Sequence, residues 1–196
     1  NRLGSNSLID LVVFGKAASD RINDTVKKGE PNKDIPQSVI DEVINRFDAT
    51  RHSNGSNPTA ELRNKMQKVM QNHCAVFRDE EIMSEGKKLI EDIWLQSSDI
   101  NVKDKSLIWN TDLLETLEFQ NLISQAVVTM SSAYNRKESR GAHARDDFTE
   151  RDDKNWMNHT LAWVDEKWNV KIDYRPVHEY TLTDEVDYIT PRARVY

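Results

Sequence analysis

The chain has 196 residues, enough to bury a substantial core in one domain or in one domain plus part of another. Hydrophobic residues make up 37%, charged residues 31%, and mean hydropathy is −0.74, which reads as charged helices that each carry one apolar stripe. A net charge of −6 excludes a general nucleic-acid binder, a single cysteine excludes an internal disulfide, and no apolar run approaches the ~20 residues of a membrane span.

The chain begins without Met and without a basic-then-apolar leader, so it reads as a processed or truncated piece of a longer protein. Gly4-Ser5-Asn6-Ser7 runs directly into Leu8, Ile9, Leu11, Val12, Val13 and Phe14, followed by Ala17, Ala18 and Ile22. That helix is apolar nearly all round at first, so it is expected to be buried in something larger. Gly15 inside it points to close packing. Residues 27–36, with one glycine and two prolines, read as a linker.

Val39, Ile40, Val43, Ile44 and Phe47 recur at helical spacing and open a helical region. Residues 51–59 carry turn chemistry, and the next helix starts near Pro58, burying Leu62, Met66, Val69, Met70 and Cys74. Ile82, Leu89, Ile90, Ile93 and Trp94 mark a third helix. Leu113, Leu117, Phe119, Leu122, Ile123, Ala126, Val127 and Met130 mark the longest. Short connections between such helices predict an up-and-down bundle.

After residue 135 the composition changes. Residues 136–155 hold almost no apolar side chains and many charges, so they should form an irregular loop, ordered only if partners pin it. Leu161 and Trp163, then Val170, Ile172 and Tyr174, alternate as a two-stranded hairpin. The last segment reads as extended, with Pro191 limiting its pairing.

Small residues ahead of a helix let backbone N–H groups approach a ligand, and the helix dipole favours an anion there. An ordinary cap by Asn6 or Ser7 explains the same pattern. Arg2 has the bidentate fork that clamps a carboxylate, though most arginines only meet solvent. His143 and His159 are 16 apart, which is no zinc spacing, and no metal site is expected. Asp152 and Asp153 read as ion-pair partners of Arg145 and Arg151. Cys74 reads as inert core, and His73 as surface or a satisfied interface histidine.

Several stretches together carry a family signature: NRLGSNSLIDLVVFGKAA (1–18), MQNHCAVFR (70–78), IWNTDLLETLEFQNL (108–122), RKESRGAHARDDF (136–148), NHTLAWVD (158–165), YRPV (174–177) and PRARVY (191–196). In this order they resemble the succinate dehydrogenase/fumarate reductase flavoprotein family, above all its mitochondrial and alphaproteobacterial succinate dehydrogenase branch. The resemblance implies a mainly α fold. Residues 1–28 would be the last helix of an FAD-binding domain, 36–135 a helical bundle, and 136–196 a charged loop and small α+β tail with a short antiparallel hairpin.

It further implies a role in oxidising succinate to fumarate, with electrons leaving through FAD to an iron–sulfur subunit and quinone. Fumarate reductase, L-aspartate oxidase, or a non-catalytic helical docking module remain alternatives. Arg2 matches the family's dicarboxylate-binding arginine. Ser7 and Leu8 match positions against FAD, and Asn6 supports that turn. No catalytic residue matches: the glycine-rich dinucleotide motif, the flavin-carrying histidine, the capping domain and the proton-transferring arginine all lie outside this stretch. The chain alone is therefore expected to be inactive and free of FAD. Implied partners are the iron–sulfur subunit directly and the membrane anchor subunits indirectly. The implied location is peripheral, on the cytoplasmic or matrix face of the inner membrane. Arg140 and His143 are expected to hold the charged loop against the FAD domain and the iron–sulfur subunit.

Overall fold

The computed structural model describes residues 6–165, 167, 169–181 and 183–192, with the side chain of Asn6 left aside. Helix α1 spans Asn6–Thr25 and α2 spans Gln37–Arg51. A two-residue strand β1, Asn57–Pro58, leads into α3, Thr59–His73. Helix α4, Glu80–Ser97, is followed by β2, Ile100–Asn101, and by α5, Thr111–Asn135. A single turn, α6 (Asp153–Trp156), precedes the strands β3, Asn158–Val164, and β4, Val170–Pro176.

The core is the mutual packing of α3, α4 and α5. Each contributes a stripe at three-and-four spacing: Leu62, Met66 and Val69; Met83, Gly86, Ile90 and Ile93; Leu113, Phe119, Ile123, Ala126, Val127 and Met130. Phe119 and Met130 are fully buried, each worth about 1.5–3 kcal/mol of transfer free energy. The starts of two helices are fixed locally. Asp79 accepts the Ile82 N–H at 2.7 Å and Asn110 accepts the Leu113 N–H at 2.8 Å. Glu80 and Glu81 add negative charge to the first turn of α4, at the positive end of its dipole. Gly86 lets α4 come close to its neighbours, because a Cβ there would sit 2.5 Å from the His73 Cβ and 2.7 Å from the Met130 Cε.

One polar pair is built into this core. Thr116 donates to the Asp112 carbonyl at 2.8 Å, so Thr59, 2.6 Å away, must donate to Thr116. At the end of the bundle where α3 starts, β1 and β2 pair in parallel, Asn57 with Ile100 and Pro58 with Asn101. Gly55 is required there. A side chain at 55 would lie 2.1 Å from the Asp99 carbonyl oxygen.

The bundle is smaller than the sequence predicts. Residues 37–51 are helical as expected, but Val39, Ile40, Val43 and Ile44 are 39–53% exposed, and Thr50 alone of that helix is buried. The reason is geometric. Helix α2 is tied in at its C-terminal end, where Gln120 donates to the Thr50 hydroxyl at 3.3 Å and Arg51 donates to the Lys105 carbonyl at 3.3 Å. Helix α1 is exposed along its length, with Leu8 to Phe14 carrying apolar side chains 54–73% open to solvent. In α4, Met83 and Gly86 take the buried positions that Ile82 and Leu89 were expected to fill. In α5, Leu122 is on the exposed side.

The hairpin forms as predicted, antiparallel from Asn158 opposite Pro176 to Val164 opposite Val170. Its inward set differs from the expected one. Val164 and Val170 pack on the core, whereas Trp163 is 52% exposed and covered by its cross-strand partner, with Lys171 Nζ 5.8 Å from the ring centroid. Described residues 177–192 form no strand.

Candidate functional site

The N-terminal turn singled out by sequence is only partly on view. Arg2 lies outside the described residues. Asn6 opens α1, Ser7 is half-buried in its first turn, and Leu8 is 73% exposed. The first turn of this 20-residue helix holds no acidic side chain, which leaves the positive potential of its leading N–H groups uncancelled by the described side chains of that turn. Donor chemistry of that kind, with the Ser7 hydroxyl beside it, suits an anionic or electron-rich group.

The charged loop is threaded by contacts within the chain. Glu138 is fully buried and is its hub. Arg140 forks onto it through one guanidinium edge, Nε to Oε1 at 2.8 Å and Nη2 to Oε2 at 3.0 Å. Arg136 donates to the same carboxylate, and the Asp152 N–H adds a bond of 2.9 Å. Arg136 also reaches the Asn158 and Trp156 carbonyls and the Thr160 hydroxyl, and lies over the Trp156 ring. The end of α5 is thereby tied to α6 and β3.

Arg145, 1% exposed, is a second hub. It forks onto Asp147 at 2.7 and 2.5 Å, reaches Glu80 at 3.3 Å, and donates to the Tyr134 carbonyl at 3.1 Å. Tyr134 in turn donates to Glu80 at 2.6 Å. The expected pairing holds for Arg151 with Asp153 and is corrected for Arg145. Arg145 meets Asp147 and Glu80, while Asp153 bridges Arg140 at 2.6 Å and Arg151 at 2.9 Å. Asp152 instead caps α6, accepting the Asn155 N–H at 3.1 Å.

His143 links the loop to the end of α3. Its Nδ1 lies 2.8 Å from Arg78 Nη1 and its Nε2 lies 3.0 Å from the Arg136 carbonyl oxygen. A guanidinium only donates and a carbonyl only accepts, so His143 is neutral with its proton on Nε2. Arg78 itself donates to the Cys74 and Ala75 carbonyls at 2.7–3.1 Å and caps the negative end of α3.

The electrostatics follow from these contacts. Burial pushes the His143 pKa down, and the charges of Arg78, Arg145 and Arg136 push it further, against the opposing bond to the Arg136 carbonyl. Burial alone would raise Glu138, but the bonds from Arg140, the Asp152 N–H and Arg136 hold it below the usual carboxylate range. The Arg145 fork lowers Asp147, and the Arg140 bond lowers Asp153. Burial raises the Cys74 thiol, which fits an inert core residue.

This knot is closed on itself. The carboxylates of Glu138, Asp147, Asp153 and Glu80 are each engaged by a guanidinium group, and it presents no nucleophile. Among the described residues no His, Cys, Asp and Glu cluster could hold a metal ion. His159 is exposed on the hairpin, apart from the half-buried His143. His73 is satisfied by the Ile82 carbonyl at 3.1 Å. Sequence reading found the charges of this region but missed Glu138 as the hub and Arg78 as the helix cap. The alternation Arg136, Glu138, Arg140 was the available signal, since two cations flanking one carboxylate at spacing two can both reach it.

A further local structure lies between β2 and α5. Asn110 Nδ2 donates to the Asp104 and Ser106 carbonyls at 2.7 and 2.8 Å. Asp112 accepts the Lys103 and Asp104 N–H groups at 2.6 and 3.2 Å, and Asp104 accepts the Ser106 N–H at 2.8 Å. Trp109 is held at φ 52°, in the left-handed region, at a cost of roughly 1–2 kcal/mol for an L residue.

Comparison with known proteins agrees with the resemblance read from the sequence. A family model described as "Fumarate reductase flavoprotein C-term" matches residues 63–196. The succinate dehydrogenase flavoprotein subunit of Rickettsia bellii is 53% identical over 196 residues, covering all of this chain and 33% of that protein. The mitochondrial succinate dehydrogenase [ubiquinone] flavoprotein subunit of rice is 52% identical over 197 residues, covering all of this chain and 31% of that protein. A mutant of E. coli quinol fumarate reductase superposes with a TM-score of 0.82 at 32% identity, over 96% of this chain and 32% of that one. The chain therefore spans about a third of the length of the curated relatives it matches. No helix among the described residues is long and apolar enough to cross a membrane.

Proposed function

The chain belongs to the fumarate reductase flavoprotein C-terminal family, and on that premise we propose that it is the C-terminal part of the FAD-containing subunit of a succinate dehydrogenase. The observation that carries this reading is identity of 52–53% over the whole chain to succinate dehydrogenase flavoprotein subunits, against 36% to the fumarate reductase flavoprotein subunit of Haemophilus influenzae. That contrast favours the dehydrogenase over a fumarate reductase. L-aspartate oxidase and a free-standing docking module have no observation in their favour.

In this reading FAD, when bound, accepts the hydride that leaves succinate. The residues of this chain position and polarise. The N–H groups of Ser7 and Leu8, at the positive end of α1, would lie against the flavin and favour added negative charge there. Arg2 clamps one carboxylate of the dicarboxylate through its fork, orienting the substrate. The covalent flavin link and the proton-transferring group are assigned to the part of the protein that precedes this chain. The iron–sulfur subunit is the electron-accepting partner. Anchor subunits would hold the assembly peripherally at a membrane.

Two measurements test this. The 196-residue chain, purified alone, should neither retain FAD nor reduce a dye with succinate; measurable turnover would overturn the division of labour. In the full-length flavoprotein, Arg2→Met should lower kcat/KM for succinate by about 10² or more with FAD content unchanged. An unchanged kcat/KM would remove Arg2 from the site.

A further inference from the structure

The segment between β2 and α5 ends in three consecutive large apolar residues that the bundle does not use. Leu107 is 65% exposed, Ile108 78% and Trp109 93%. Each fills a position where a polar side chain would cost nothing in the described fold. The segment is nevertheless rigidly built. Asn110 and Asp104 bind its carbonyl and N–H groups, Asp112 fixes its start, and Thr111 donates to the Trp109 carbonyl at 3.1 Å. Trp109 is also held at φ 52°. A strained backbone that presents an indole wholly to solvent is preorganised for a contact outside the described residues.

We infer that Leu107-Ile108-Trp109 is an anchor that seats in an apolar pocket of the portion of the flavoprotein preceding this chain; this rests on the functional reading above. Three observations choose that occupant. The matched relatives carry about two-thirds of their length outside the region this chain covers, and the family model places this region at the C-terminal end. Every described residue from Leu8 to Arg46 is exposed, and the outward apolar stripe of α2 (Val39, Ile40, Val43, Ile44) needs cover from the same side of the chain. The anchor segment is fastened to the C-terminal end of that same helix. Lys105 donates to the Ser53 carbonyl at 2.6 Å and Arg51 to the Lys105 carbonyl at 3.3 Å. Ile44 and Arg51 are seven residues apart, about 10 Å of helix, so a body of domain size that covers α2 reaches the anchor as well.

The test is hydroxyl-radical footprinting, read by mass spectrometry, on the full-length flavoprotein without other subunits. Modification of Trp109 should be at least fivefold slower in the native protein than in the urea-unfolded protein. Trp109→Ala should raise the modification of Leu107 and Ile108 towards the unfolded rate. The inference is overturned if native Trp109 reacts at the unfolded rate. It is equally overturned if protection appears only on adding the iron–sulfur subunit or lipid vesicles. Succinate oxidation by the same preparation tests the functional reading separately, since it does not depend on where Trp109 lies.

Discussion

Replacing Glu138 by Ala removes the hub of the polar knot. The carboxylate is fully buried and accepts from Arg136, from the Nε and Nη2 of Arg140, and from the Asp152 N–H. Breaking a buried ion pair from one side costs roughly 3–5 kcal/mol, because the cations left behind are desolvated without a partner. Here the lower end applies. The Arg140 side chain is 27% exposed and keeps Asp153, while Arg136 keeps the Trp156 and Asn158 carbonyls. A loss of about 3 kcal/mol corresponds to a Tm lower by about 6–12 °C for a chain of this size. Thermal unfolding followed by circular dichroism at pH 7 measures it. Glu138→Gln should cost less, since one acceptor oxygen survives. A double-mutant cycle of Glu138→Ala with Arg140→Met should show coupling of about 1 kcal/mol or more. A Glu138→Ala Tm within 1–2 °C of wild type (about 0.5 kcal/mol), or full additivity in the cycle, would refute the idea that the knot is held by this pair.

His143 has a folded pKa below its ordinary 6.5, so its neutral form stabilises the fold at pH above that value. That contribution is lost as pH falls from 6.5 through the folded pKa, because the unfolded chain takes up the proton first. Urea unfolding between pH 7.5 and 5 should show this loss in wild type but not in His143→Gln. The lowered Asp147, Asp153 and Glu138 give a second, more acidic loss below their ordinary 3.8–4.5. Gly86→Ala should destabilise by about 1–2 kcal/mol despite better helix propensity, because the His73 Cβ cannot retreat. Gly15→Ala, with nothing within 4 Å, should not destabilise, and equal effects at the two sites would contradict the packing described. Cys74 should react with a thiol reagent only as fast as the chain unfolds; rapid labelling of the native chain would show the thiol to be accessible.

The helices were legible because each core stripe repeats at three-and-four spacing. The hairpin was legible from its alternation. Side choice was not. Trp163 is large and apolar but faces outward beside Lys171, since strand period says which residues share a face and not which face meets the core. The stripe of α2 looked like core because periodicity reports amphipathicity without saying what covers the apolar face. The internal pairing of the loop at 136–155 was not legible because its charges were counted singly. Paired through Glu138 and Arg145, they hold one another. In the candidate site, Ser7 and Leu8 stand in the first turn of α1 as the pattern predicted, and Arg2 lies outside the described residues.

Helix α5 runs unbroken for 25 residues, about 37 Å, from the Asn110 cap to Arg136. One end carries the Trp109 segment and the other the polar knot, so the helix acts mechanically as a strut with a fitting at each end. A strut of this length turns small rotations into sizeable displacements. A 10° tilt about its midpoint carries the two ends about 3 Å in opposite directions. A body that grips the Trp109 end therefore sets the position of the knot and the hairpin fastened to it, without touching either.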